Sequence, residues 1–164
     1  MPINKSATQL TAAIVSNRRL GVYHQINIEV GDLVKAIKPG NFIVISVGGE
    51  NSKMILRRAF AISRVNDRGT IELIVSPMGS GSKWLCSQPE GSLLDIVTPL
   101  GTSFGIPTEP VTALLVGGGY GSAPLFGLAE VLKNRGCRVI MALGASTAAK
   151  IYAPIEGKRA ATLL

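Results

Sequence analysis

A six-stranded antiparallel β barrel followed by an incomplete parallel α/β unit is the fold this sequence predicts, and three observations carry the prediction. Six short runs with strand-like alternation fill the first hundred residues, separated by turn residues. A stiff connector with two prolines, Gly105-Ile106-Pro107-Thr108-Glu109-Pro110, comes next. Beyond it the apolar period changes to that of a buried strand, a glycine turn, a helix and a second strand. The expected division is therefore residues 1–104 for the barrel, 105–110 for the linker and 111–164 for the α/β part.

The six runs are Ala7 to Val15, Val22 to Val30, Asn41 to Val47, Met54 to Val65, Thr70 to Ser76 and Leu93 to Val97. Between them stand Gly31-Asp32, Pro39-Gly40, Gly48-Gly49 and Asp67-Arg68-Gly69, residues that turn a chain readily. The second run is the clearest: Val22, Ile26, Ile28 and Val30 share one face with His24, leaving Tyr23, Gln25, Asn27 and Glu29 on the other. Six strands at this spacing suit a small closed barrel. A short helix is expected at Ser82 to Ser87. After the linker, Val111 to Val116 reads as a buried strand. Leu125, Leu128, Ala129 and Leu132 then form a helical stripe that ends at Gly136, and Cys137 to Leu143 is the second strand. Residues 144–164 are expected to add a further helix and the start of a third strand.

Composition narrows the function classes. The chain has 164 residues with 46% apolar content, enough to bury a core. Its 17 basic against 10 acidic residues give +7, which favours an anionic partner: nucleic acid, an acidic membrane, a phosphate-bearing cofactor or an acidic protein. Cys86 and Cys137 lack the paired spacing of a metal site and are expected to be buried free thiols. No signal-peptide core is legible near the N-terminus, so a cytoplasmic location is expected. Val111 to Leu132 carries a single charge, Glu130, yet its glycine run and Pro124 argue against one continuous membrane helix.

The residues offer no nucleophile and base pair, and the lone histidine, His24, reads as a packing residue within a strand. What stands out is material for binding phosphate. Gly79-Ser80-Gly81-Ser82 precedes a helix, where backbone amides and the helix N-terminus attract an anion, with Ser82 as cap or hydroxyl donor. Arg57 and Arg58 adjoin on a predicted strand, so only one of them faces a given cleft. Gly117, Gly118, Gly119 and Gly121 lie in LLVGGGYGSAPL, between a strand and a helix. That run does not match the strict GxGxxG fingerprint, and no acid follows Leu143 to hold a ribose hydroxyl.

Taken in order, these pieces resemble the ferredoxin-NADP reductase superfamily, a flavin-binding barrel joined to a nicotinamide-nucleotide domain. PGNFIVI at Pro39 to Ile45 is similar to the family's PGQF strand, and RRAFA at Arg57 to Ala61 to its RxYS-type flavin motif. GSGSKWL at Gly79 to Leu85 resembles the GKGTKWL diphosphate turn, and TPLGTSF at Thr98 to Phe104 resembles GPLGNGF. LLVGGGYGSAPL at Leu114 to Leu125 is similar to LLVGGGIGVAPL. The likeness spans residues 7–164 and is strongest to the branch of electron-transfer subunits that serve dihydroorotate dehydrogenases, with sulfide dehydrogenase and hydrogenase subunits nearby.

The resemblance implies FAD as cofactor and NAD(H) or NADP(H) as electron donor or acceptor. Carried over by position, it makes Arg58 the flavin phosphate ligand and sets Phe60 beside the flavin ring, flanked by Ala59 and Ala61. Gly79, Gly81 and Ser82 would hold the FAD diphosphate, and Gly117, Gly118, Gly119 and Gly121 the dinucleotide diphosphate. Ala61 replaces the family's Ser or Thr, leaving any contact to flavin N5 to the backbone. The implied partner is a dihydroorotate dehydrogenase catalytic subunit, in pyrimidine biosynthesis, or another oxidoreductase subunit; nucleic acid and membrane insertion are not implied. This chain stops before the family's four-cysteine iron-sulfur motif, so a truncated form is expected, and the rival to an electron-transfer module is a non-catalytic remnant or interaction subunit.

Overall fold

The computed structural model describes residues 7–49, 52–66, 68–152 and 162–163. Six strands, β1 (Thr8–Leu20), β2 (Tyr23–Glu29), β3 (Phe42–Ile45), β4 (Arg58–Asn66), β5 (Thr70–Val75) and β6 (Leu93–Leu100), close an antiparallel barrel in the order β1-β2-β5-β4-β3-β6. Registers such as Ile26 opposite Leu73 and Ile28 opposite Ile71 keep alternate side chains inside. The interior is filled by Ile14, Ile26, Ile28, Ile43, Ile45, Ile71, Leu73, Leu94 and Ile96, all essentially without solvent contact. Full burial of each such side chain contributes about 1.5–3 kcal/mol.

Helix α1 (Ser80–Ser87) follows β5 and sends Leu85 into the barrel core. Its C-terminal end is held by a side chain from the far end of β1. Asn17 Nδ2 donates to the carbonyls of Cys86 and Gln88, at 2.9 and 2.8 Å. His24 Nδ1 lies 2.9 Å from Asn17 Oδ1, so the neutral ring donates there and orients the amide.

Beyond the barrel, β7 (Thr112–Gly118), a 3-10 turn at Gly119–Ser122, helix α2 (Ala123–Asn134) and β8 (Arg138–Gly144) form one βαβ unit. A short β9 (Thr162–Leu163) adds a third parallel strand, in the order β7-β8-β9. Helix α2 is sandwiched between this sheet and β4. Gly127 makes that possible, since a Cβ there would stand 2.5 Å from the Ser63 carbonyl oxygen. Ser63 Oγ donates to the Ala123 carbonyl at 3.1 Å. Arg64 pairs with Glu130 at 2.9 Å and lies over the Phe126 ring. One hydrophobic cluster joins Tyr23 and Ile74 of the barrel to Phe126, Leu128, Ala129, Leu132, Val139 and Met141.

The architecture is the one the sequence predicts, with differences in detail. β1 runs on to Leu20, well past Val15, because its second half pairs with β2 while its first half pairs with β6. β4 begins at Arg58 rather than Met54, and α1 begins at Ser80 rather than Ser82. Tyr23, assigned to the polar face of β2, is 5% exposed and Val22 is 40% exposed, since the α/β unit covers the barrel's outer surface at this point. The strand read as wholly buried, β7, has one open face, with Leu114 60% and Val116 69% exposed. Phe126, which lies beside the predicted apolar stripe of α2, is as buried as Ala129 of that stripe, both at 0%. The helix expected after residue 144 is represented by one 3-10 turn, Ala148–Lys150; residues 153–161 lie outside the described residues. Among the described residues no helix is long and apolar enough to cross a membrane.

Candidate functional site

Two clefts meet between the barrel and the parallel unit. The first, about 410 Å³, is walled by Arg58, Ala59 and Phe60 of β4, Ile74 and Val75 of β5, Met78, the Gly79–Ser82 turn and Tyr120. Its chemistry is graded. One end carries the Arg58 guanidinium and the first turn of α1, whose amide hydrogens have no partner within the helix. The remaining wall is largely apolar, formed by Phe60, Ile74, Val75 and Met78.

The two arginines part as strand geometry requires. Arg57 Nη1 donates to the Asp95 carbonyl at 3.0 Å and the same guanidinium pairs with the Asp95 carboxylate, tying it to β6. That hydrogen bond holds the Asp95 carboxyl below its ordinary range. Arg58 turns the other way, across the first turn of α1. A Cβ on Gly81 would stand 3.0 Å from Arg58 Cγ and 3.1 Å from a Val47 methyl, so Gly81 is what lets the arginine cross there. Ser82 is committed to the cap: the Gly79 amide donates to its Oγ, and that Oγ donates to the Gly79 carbonyl, both at 3.1 Å. Ala61 pairs with Phe42 on β3 and is not part of the cleft wall.

The second cleft, about 610 Å³, opens at the C-terminal ends of β7 and β8, the place where parallel sheets present ligand sites. Gly118 and Gly119 line it, together with Ala145 and Ser146 after β8, Lys150, and Tyr23 from the barrel. Gly117 faces its own helix instead, since a Cβ there would stand 2.6 Å from Ser122 Cβ and 2.9 Å from Leu125 Cδ1. Gly119 has φ +53°, a left-handed conformation that glycine adopts without strain. Gly121 lies outside the lining. Among the described residues no carboxylate lines either cleft.

Three residues of this region were not singled out from sequence. Tyr120 belongs to both clefts, as do Ser76 and Met78. The ring of Tyr120 meets that of Tyr23 edge-on, with centroids 5.9 Å apart, and Tyr23 Oη donates to the Lys150 carbonyl at 2.7 Å. Asn17, far from the clefts, sets the position of α1 through its C-terminal carbonyls. A large ring inside a run of glycines is the one signal in the sequence that pointed to Tyr120; nothing local pointed to Asn17.

The closed barrel, the parallel unit packed on it and the pair of clefts between them define the ferredoxin-NADP reductase-like fold. A solved NADH-dependent reduced ferredoxin-NADP oxidoreductase superposes with a TM-score of 0.83 at 27% identity, over 93% of this chain and 55% of that one. The ferredoxin reductase of carbazole 1,9a-dioxygenase shares the fold at TM-score 0.78 and 20% identity, over 99% of this chain and 51% of that one.

Within that fold, the sequence kinship is with electron transfer subunits of dihydroorotate dehydrogenase B (NAD(+)). The subunit of Fusobacterium nucleatum is 34% identical over 134 residues, which make up 79% of this chain and 51% of the relative. That of Bacillus mycoides is 40% identical over 123 residues, 71% of this chain and 46% of the relative. The chain thus spans about half the length of the curated relatives it matches. No protein-family model matches it.

Proposed function

We propose that this chain is the flavin- and nucleotide-binding portion of an electron-transfer flavoprotein subunit, passing reducing equivalents between a nicotinamide dinucleotide and a partner oxidoreductase through FAD. One observation carries the reading: Arg58, Phe60, Gly79, Gly81 and Ser82, dispersed in sequence, wall a single cleft that abuts a second cleft at the ends of the parallel strands.

The residues fit FAD. A diphosphate suits the end formed by Arg58 and the first-turn amides of α1, where a guanidinium and a helix N-terminus act together and, among the described residues, no carboxylate lines the cleft. Gly79 leaves that approach open, since a Cβ there would meet nothing within 4 Å. Phe60, Ile74, Val75 and Met78 offer apolar surface for a ring system and keep water from it. When bound, the flavin supplies hydride and electron transfer; the chain supplies position, charge neutralisation and a dry wall. In the second cleft the amides of Gly118 and Gly119 are suited to the dinucleotide diphosphate, and Gly117 serves that turn through packing against Ser122 and Leu125.

The partner that the relatives' names favour is a dihydroorotate dehydrogenase catalytic subunit, which would put the chain in pyrimidine synthesis. The purified chain is expected to take up FAD, to show a flavin spectrum, and to lose its yellow colour anaerobically with NADH or NADPH. A chain that stays colourless after incubation with FAD would refute the reading. Bound flavin that neither dinucleotide reduces would make the chain a binding module without hydride-transfer competence.

A further inference from the structure

Strand β4 serves both clefts. Its first residues, Arg58 to Phe60, wall the first cleft, and further along it grips α2, the helix that follows Gly118 and Gly119 of the second. The grip runs along one face of that helix at Ala123, Gly127 and Glu130, spaced i, i+4 and i+7. Ser63 holds the near end through its hydrogen bond to the Ala123 carbonyl, and Gly127 lets the middle close. Arg64 holds the far end, where its Nε donates to Glu130 Oε1 at 2.9 Å. On its other side the guanidinium has the Glu72 carboxylate of β5 at 3.6 Å, and it lies 5.5 Å from the centroid of the Phe126 ring. Among the described residues Glu72 Oε1 accepts no hydrogen bond, so charge ties the arginine to the barrel there. Two cavities flank it, one of about 380 Å³ between β4 and α2 and one of about 270 Å³ beside Asn27 and Glu72. Close packing does not seal this part of the junction, and the ion pair spans it.

We propose, resting on the flavoprotein reading above, that Arg64 and Glu130 form a strut that positions the nucleotide cleft against the flavin cleft for hydride transfer. In that transfer the C4–H bond of the reduced nicotinamide breaks and its hydride, with two electrons, forms an N–H bond on the oxidised flavin, so the nicotinamide is oxidised and the flavin reduced. Neither strut residue touches the reacting atoms; both act through α2. A guanidinium suits the task because its donors are fixed in one plane and reach Glu72 and Glu130 from a single side chain. Without the strut, α2 is fastened to β4 at its N-terminal end alone, and a rigid helix carries any rocking into the turn that precedes it. A displacement of about 1 Å between reacting groups costs roughly a hundredfold in rate. Each ligand is held within its own cleft, so binding is spared while transfer is slowed.

Glu130 is the residue to change, because it is 52% exposed and its loss leaves the Arg64 pair with Glu72 in place. The FAD-loaded chain is mixed anaerobically with a saturating amount of whichever of NADH and NADPH reduces it, and flavin bleaching is followed through one turnover. Glu130→Ala is expected to slow that step roughly ten- to hundredfold. Glu130→Gln keeps an oxygen for Arg64 Nε and should stay close to the unaltered rate. Affinities for FAD and for ADP-ribose, which lacks the nicotinamide, should be the same in all three proteins. Hydrogen exchange of the ligand-free chain gives a readout apart from turnover: Glu130→Ala should lose protection from Gly119 to Ser122, with the barrel strands unchanged. An unaltered rate or unaltered exchange in Glu130→Ala, a Gln variant as slow as the Ala variant, or FAD or ADP-ribose affinity lost by the same factor as the rate would overturn the strut. So would an unaltered chain that holds FAD but is reduced by neither dinucleotide, with flavin binding left standing. Failure to take up FAD would sink the flavoprotein reading first and the strut with it.

Discussion

The two glycine turns of this protein look alike in sequence and differ in use. Gly79-Ser80-Gly81-Ser82 and Gly117-Gly118-Gly119-Tyr120-Gly121 each follow a strand and open a helix. In the first, space is kept for something outside the turn: Gly79 faces open volume, and Gly81 gives way to Arg58 from another strand. In the second, much of the space is consumed by the chain itself. Gly117 admits Ser122 and Leu125 of its own helix, Gly119 takes a left-handed turn, and Gly118 and Gly119 reach the cleft. A glycine-rich turn is thus a mixture of packing, conformational and ligand-facing positions, and motif counting does not separate them.

The largest expected effect sharpens the first half of that comparison. Arg58→Ala should cost FAD binding about 1.5–3 kcal/mol, roughly ten- to hundredfold, the range for a hydrogen bond to a charged group. Arg57→Ala, which breaks only the tie to Asp95, should change FAD affinity less than about threefold. Equilibrium dialysis of flavin against both variants decides it, and equal losses would refute the assignment. Next, Gly117→Ala should destabilise the fold by about 1–3 kcal/mol through overpacking, read from a denaturant melt, with FAD affinity of the folded protein retained. Gly81→Ala should loosen FAD with a smaller effect on the melt, because the crowded neighbours, Arg58 Cγ at 3.0 Å and a Val47 methyl at 3.1 Å, need give only by a few tenths of an ångström. If both glycines behave alike, the contrast between the turns is wrong.

Asn17→Ala should cost about 1 kcal/mol of stability by freeing the carbonyls of Cys86 and Gln88, and should weaken FAD through a displaced α1. A smaller effect concerns pH. Burial lowers the His24 pKa below its ordinary 6.5, with Arg19 adding to the shift. The unfolded chain therefore binds the proton more readily, so stability is full above about pH 6.5 and falls as the pH drops through the folded value. His24→Gln should flatten that slope in melts taken across pH 5 to 7, a window set by the reference value. Least visible of all, burial pushes the Cys86 thiol up to about 11, so iodoacetamide at about pH 8 should leave it unmodified until the protein unfolds.

Most of the architecture was legible because periodicity reports burial directly. The alternation in Ile26 and Ile28, or Ile43 and Ile45, needs no knowledge of the partner strand to show which face turns inward. Helix α2 was legible for the same reason, although Phe126 was passed over beside the stripe. Tyr23 was misread because its face of the barrel is outward and yet covered, a situation periodicity does not distinguish from an exposed one. The separation of Arg57 from Arg58 followed from strand alternation, but the identity of their neighbours, Asp95 and Gly81, did not.

By itself, then, the sequence determined the barrel, the order of elements and the residue types able to bind phosphate, since each depends on local pattern and turn chemistry. Tertiary structure alone decided that Arg58, Phe60 and the Gly79–Ser82 turn share one cleft, that Asn17 braces α1 from the other end of β1, and that Tyr120 lines two cavities. These are relations between segments far apart in the chain. They depend on how a closed barrel brings β4 beside the loop after β5, and on the face against which α2 packs, neither of which any short stretch of residues encodes.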